Sequence, residues 1–223
     1  MTVKPIARRQ LLHAAPVFLA FPAIARTAAP REPITFTVLR GTSQIGTHRV
    51  DFPRGGDDPV VEIAIDLAVR LIGLTVYSYT HRSREEWAGG ILQRLDSRTD
   101  DNGTRTEVRA RAIEGGLAVE GSGGTYLAPR ATRPTSYWFE EMTRHNRLLN
   151  TQDGTLSEVE TRRAGTEQAT IAGSPLEIRV YELTGDINSR LGYSRDGDWV
   201  DLEFAARGST IRYRRDRIPG SAG

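Results

Sequence analysis

Three histidines after the N-terminal segment, His48, His81 and His145, are the residues best suited to acid-base or metal chemistry in this chain. Each stands alone in the sequence. There is no H-x-H, no H-E-x-x-H and no carboxylate cluster at ligand spacing, so no metal site is expected. Histidines on strands more often titrate at a surface or satisfy a local hydrogen bond. The chain has no cysteine, which excludes thiolate metal sites, iron–sulfur clusters, cysteine nucleophiles and disulfides. No G-x-S-x-G is present, and "GSGGT" (Gly121 to Thr125) does not lead from a strand into a helix as a phosphate-cradling loop does, so it reads as a turn. Glu62 and Asp66 share a face with Arg70, the pattern of a solvated surface rather than of a glycosidase pair. No catalytic residue and no cofactor is assigned.

Two stretches suit ligand binding better than catalysis. In "LTVYSYTHRSREEW", Tyr77, Tyr79, His81 and Trp87 have equal parity, and a bulge near Arg84-Glu85 would turn the Glu86 carboxylate inward. In "SYWFEEMTRHNR", Tyr137, Trp138 and His145 could line a mouth, with Arg144 or Arg147 meeting an anionic head group. Aromatic rings supply contact area while their OH and N–H tips fix orientation, which is what a partly apolar ligand needs. The expected binding set is therefore Tyr77, Tyr79, His81, Glu86, Trp87, Trp138, Arg144 and His145. The same residues also suit an ordinary sheet core.

The elements that would position them are strands. In "VVEIAIDLAVRLIG", Val61, Ile63, Ile65, Leu67, Val69 and Leu71 alternate with Glu62, Asp66 and Arg70, as in a long half-buried strand. A hairpin around Gly41-Thr42 is expected before it, a loop over Pro53 to Pro59, and a turn at Gly73 after it. Gly89-Gly90, Asn102-Gly103, Gly115-Gly116, Asp153-Gly154, Gly165, Gly173, Gly185, Asp196-Gly197 and Gly208 mark further candidate turns. Such spacing predicts an all-β, mostly antiparallel meander curved into a half-barrel or barrel, which hides its edges and its apolar face. Helical periodicity is confined to "TSYWFEEMTRHNRLL", where Thr135 would cap and Trp138, Met142 and His145 would share a face. One short helix or turn crossing the β body is expected there.

"YSYTHRSREEWAGGILQRLDSRTDDNGTRTEVRA", "TSYW", "LLNTQDG", "YELTGDI", "DWVDLEF" and "IRYRR" together resemble an uncharacterised family of exported bacterial proteins, a domain of unknown function. The likeness spans about Ile34 to Ile218. That family in turn resembles the half-barrels typified by the periplasmic lipoprotein carrier, in which a curved antiparallel sheet wraps a helix or an apolar ligand. The resemblance implies a fold and a compartment and carries no activity. Leu191-Gly192 before Tyr193, and Phe139 after Trp138, depart from the pattern, the latter where a histidine is common.

The N-terminus points to export. Lys4, Arg8 and Arg9 precede a short apolar run from Leu11 to Phe21 that His13 and Pro16 interrupt, too short for the ~20 residues of a spanning helix. Ala23-Ile24-Ala25 completes a signal-peptide layout, with the cut before Arg26. Arg8-Arg9 followed by Gln10-Leu11-Leu12 resembles a twin-arginine signal, which implies the twin-arginine machinery and signal peptidase as partners. The expected organisation is a signal over 1–25, a linker over 26–33, one β domain over 34–218 and a disordered tail over 219–223. Loss of the three leader cations turns the formal charge of +2 slightly negative and removes the case for nucleic acid. The sequence thus reads as a periplasmic or secreted protein without a transmembrane anchor. Its first function class is a non-catalytic binder or carrier of a small apolar or amphipathic molecule. An envelope protein–protein interaction module and a cofactor-independent enzyme are the alternatives.

Overall fold

The computed structural model describes residues 32–217. The expected signal at 1–25, the tail at 219–223 and most of the linker lie outside the described residues.

From the N-terminus the chain runs up and down through β1 (Ile34–Arg40), β2 (Ser43–Arg54), β3 (Val60–Leu71), β4 (Leu74–Ala88), β5 (Ile91–Asp101), β6 (Thr104–Ile113), β7 (Gly116–Gly121) and β8 (Gly124–Ala128). A segment with two short strands, β9 (Arg133–Pro134) and β10 (Arg147–Leu149), follows. Then come β11 (Leu156–Ile171), β12 (Ser174–Gly185), β13 (Ser189–Ser194), β14 (Trp199–Ala206) and β15 (Ser209–Arg215). Among the described residues all fifteen strands belong to one sheet in the order 8-7-6-5-4-3-2-1-15-14-13-12-11-10-9. Every pairing is antiparallel except that of β9 with β10. The all-β half-barrel expected from alternation and turn spacing is what forms.

β8 and β9 end the pairing order, so the sheet does not close through backbone ladders. Two turns meet across the seam instead. Ser122 N–H donates to the Asp153 carbonyl at 2.8 Å, and the Tyr126 hydroxyl donates to the Gly154 carbonyl at 2.8 Å. A Cβ on Gly154 would stand 2.8 Å from the Gly121 Cα, so only glycine allows so close an approach. The two glycine-rich turns, far apart in sequence, thus form a seam that brings the open sheet towards a barrel.

Alternation along the strands stacks the interior in cross-strand rows. One row is Val50, Ile63, Ser83, Ser97 and Val108; the next is Phe36, His48, Ile65, His81 and Thr99. Between β8 and β11 the chain crosses this interior as a plug. Its anchors are Ser97 Oγ, which donates to the Thr151 carbonyl at 2.5 Å, and the Tyr193 hydroxyl, which donates to the Tyr137 carbonyl at 2.9 Å.

The short helix or turn expected over 135–149 is a single 3-10 turn, Glu140–Arg144, and the longer helical face over the segment is not formed. Tyr137 takes a left-handed φ of 62° and Phe139 is extended, while β9 and β10 claim the flanks. The three consecutive aromatics serve different surroundings: Tyr137 faces the cavity described below, Trp138 packs on Trp87, and Phe139 bridges to Asp198. Gly165 likewise is no turn but a bulge within β11. The other glycine punctuation largely falls at hairpin tips or strand ends.

Candidate functional site

The end of the sheet that carries the turns after β1, β3, β5 and β14 opens into a cavity of about 570 Å³. Ile45, Ile63, Ile65, Leu67 and Val69 from β2 and β3 make one wall; Leu202, Phe204, Ile211 and Tyr213 from β14 and β15 make another. Plug residues Thr135 to Tyr137 and Asn150 to Gln152 also line it, with Ile187 and Asn188 from the β12–β13 connection. The size, and apolar walls combined with polar groups from the plug and the rim, are compatible with a small-molecule site.

The titratable groups in the interior of the cavity are histidines and tyrosines, beside hydroxyl and amide side chains from the plug and the β12–β13 connection. His48 on β2 and His81 on β4 both lie directly opposite Ile65 on the strand between them, so two interstrand spacings, roughly 10 Å, separate their backbones. His48 is 4% exposed and His81 3%. Burial, helped by its neighbour His81, lowers His48 to about 3; burial, helped by Arg82, lowers His81 to about 4. Both imidazoles are therefore neutral near pH 7. His81 Nδ1 and Thr99 Oγ1 are 2.9 Å apart. The His48 ring lies among Phe36, Trp199 and Tyr213, at centroid distances of 6.3, 5.1 and 5.4 Å. No protein group among the described residues bonds either of its nitrogens. Burial also pushes Tyr137 up to about 12 and Tyr79 and Tyr213 higher, so the phenols stay protonated.

Charge is confined to the rim. Arg207, in the β14–β15 turn, stands 4.5 Å over the Tyr77 ring and 3.7 Å from Asp101. Burial first, then the hydrogen bond to Asp101, raise Tyr77 to about 12. Beside this mouth the β3–β4 hairpin projects Leu71, Ile72, Leu74 and Val76 into solvent, Ile72 being 95% exposed.

Of the sequence-predicted site, Tyr77, Tyr79 and His81 line the cavity together. Trp87 does not: it lies ten residues along the same strand, roughly 30 Å at the rise of an extended chain. It packs with Trp138 and Phe139 in the other half of the core. Glu86 faces outward beside Arg84. Strict alternation puts Glu85 inside instead, fully buried, because the register shift leaves the extra residue on β5 rather than on β4. Glu85 Oε2 accepts from the indole N–H of both Trp87 and Trp138. Arg144 is exposed, His145 Nε2 lies 2.8 Å from Glu141, and Arg147 pairs with Glu158; none of the three reaches the cavity.

Sequence reasoning left out His48 as a binding residue, although the alternation His48, Val50, Phe52 places it on the apolar face of β2. Its pairing with His81 carries no linear signal, because it depends on β3 lying between β2 and β4 in one particular register. Among the described residues no group of three or more histidines and carboxylates is placed to hold a metal ion, and no helix is long and apolar enough to cross a membrane.

The profile of a family described as "Domain of unknown function (DUF6134)" matches residues 36–216. No curated protein matches the sequence. Among solved structures, a beta-barrel-like protein of domain of unknown function DUF1849 from Brucella abortus superposes with a TM-score of 0.58 at 10% identity, over 85% of this chain and 97% of that one. At that identity the likeness speaks for the fold alone.

Proposed function

The chain belongs to the DUF6134 family, and on that premise we propose that it is an exported, non-catalytic protein that binds or carries a small apolar or amphipathic molecule. The observation that supports this reading most is the cavity of about 570 Å³ at the open end of the sheet. A domain with no need of a ligand fills its interior to native density; here the plug fills one end and leaves the other open. The apolar β3–β4 tip extends the apolar wall outward past the rim, a path along which such a molecule can enter and leave. Export through the twin-arginine route, with removal of residues 1–25, is part of the same proposal and rests on the leader sequence.

Native mass spectrometry of the processed protein, taken from the compartment to which it is exported and compared with the denatured chain, tests both parts. A mass excess lost on denaturation is expected, together with cleavage before Arg26. Leu67→Trp, which pushes an indole into the cavity, is expected to abolish the excess while the protein still folds. A bare mass from both proteins would give the lead to the envelope interaction reading, for which the uncovered apolar tip speaks.

A further inference from the structure

Two deeply buried residues that line the cavity, His48 and Ser136, carry side-chain polar atoms with no hydrogen-bond partner among the described residues, and His48 has both of its ring nitrogens unmet. It is 4% exposed, it lines the cavity, and neither ring nitrogen has a protein partner among the described residues. Its counterpart His81 spends one nitrogen on Thr99. A buried donor or acceptor left without a partner destabilises the fold, a cost that Phe or Leu at this apolar, aromatic position would not carry.

We propose that His48 is the polar anchor of the cavity and that the molecule it holds is uncharged, mostly apolar and carries one hydroxyl group. This rests on the carrier reading above.

The chemistry of the ring selects the class. A neutral imidazole offers one donor and one acceptor, and a hydroxyl offers one of each, so it suits either tautomer. The Phe36, Trp199 and Tyr213 rings hold the imidazole in place, and Ile45, Ile63 and Ile65 give the rest of the ligand an apolar wall. A carboxylate at the same depth would lose its hydration without gaining a cation. The charged residues that line the cavity, Arg40, Asp101, Asp186 and Arg207, all adjoin the turns and connections at its open end. Arg215, opposite Phe36 in the sheet, is not among the lining residues, and its guanidinium donates to the Trp199 carbonyl.

Titration calorimetry of the full domain with 1-decanol, 1-chlorodecane and decanoate tests this. Wild type is expected to bind the alcohol at least tenfold more tightly than the chloroalkane. His48→Phe is expected to bind the two alike, with chloroalkane affinity unchanged and a ligand-free melting midpoint no lower than wild type. His48→Gln, which keeps a neutral donor and acceptor, is expected to restore part of the preference. Equal alcohol affinity in wild type and His48→Phe would overturn the anchor while leaving the carrier reading intact. Tighter binding of decanoate than of decanol, with proton uptake, would overturn the uncharged class. Absence of binding by all three probes would overturn the anchor and the carrier reading together. Should His48→Phe fail to fold, the alcohol-to-chloroalkane ratio in wild type decides.

Discussion

Glu85 and Trp138 lie 53 positions apart in sequence, yet the Glu85 carboxylate holds the Trp138 indole N–H at 3.1 Å and the Trp87 indole N–H at 3.0 Å. A single buried acid thereby ties β4 to the plug. Burial raises the Glu85 pKa, and the two indole donors work against that rise.

An acid whose folded pKa is raised contributes stability at low pH and loses it as pH rises through the folded value. Glu85→Gln keeps an acceptor for the indoles and removes the ionisation, so the variant is expected to gain stability relative to wild type as pH rises. Glu85→Ala strands two buried donors and is expected to cost on the order of 2 kcal/mol or more. Urea unfolding across pH 5 to 9, followed by near-ultraviolet circular dichroism of the tryptophans, checks both. A Gln variant that tracks wild type at every pH would show that ionisation of Glu85 does not matter.

His48 acts in the opposite sense. Its pKa falls from an ordinary 6.5 to about 3, so the contribution of its neutral form is fully present above 6.5 and drains away as pH falls towards 3. In this window one histidine adds a slope of about 1.4 kcal/mol per pH unit. His48→Phe removes it, so its stability relative to wild type is expected to improve by about 2 kcal/mol between pH 7.5 and pH 5. Groups that shift the other way, Glu85 and Asp201, the latter raised to about 6 mainly by burial, remain in both proteins and cancel. A parallel pH dependence of the two proteins would refute the claim.

The plug hangs on a second carboxylate. Glu140 accepts from Arg179 Nε at 2.7 Å and from the Tyr181 hydroxyl at 2.8 Å, both on β12. Burial works against its charge, but these donors win and keep its pKa below the ordinary value. Glu140→Ala is expected to destabilise the protein by about 1–3 kcal/mol and to make residues 129–155 more sensitive to limited proteolysis than the strands. Cleavage that begins elsewhere would mean that the plug is held mainly by its aromatic contacts.

Ile72 and Gly73 form the β3–β4 turn with φ of 50° and 78°, the two positive values of a type I′ turn. A β-branched residue pays about 1–2 kcal/mol in that conformation, and with 95% of its surface exposed Ile72 recovers little by packing. Ile72→Asn is expected to raise the urea midpoint by roughly 1 kcal/mol of stability, the residue pair being the preferred one for this turn. No gain would show that the apolar tip is packed in solution.

Local geometry is legible from the linear order of the residues. Alternation in "VVEIAIDLAVRLIG" and the dipeptides Asn102-Gly103 and Asp196-Gly197 specify strands and tight turns from neighbours a few residues apart, so the meander and its inward faces were legible. Tyr77, Tyr79 and His81 were legible for the same reason, since parity along one strand needs no partner. Tertiary structure decided everything that depends on which strands adjoin and how far along they meet. It packed Trp87 against Trp138 and Phe139 away from the cavity, chose Glu85 over Glu86 by putting the extra residue on β5, and turned the apparent helical face of Trp138 and His145 into an extended plug. It also set His48 and His81 on either side of Ile65. Strand register is a long-range quantity, settled by the summed packing of the whole sheet, and no window of sequence contains it.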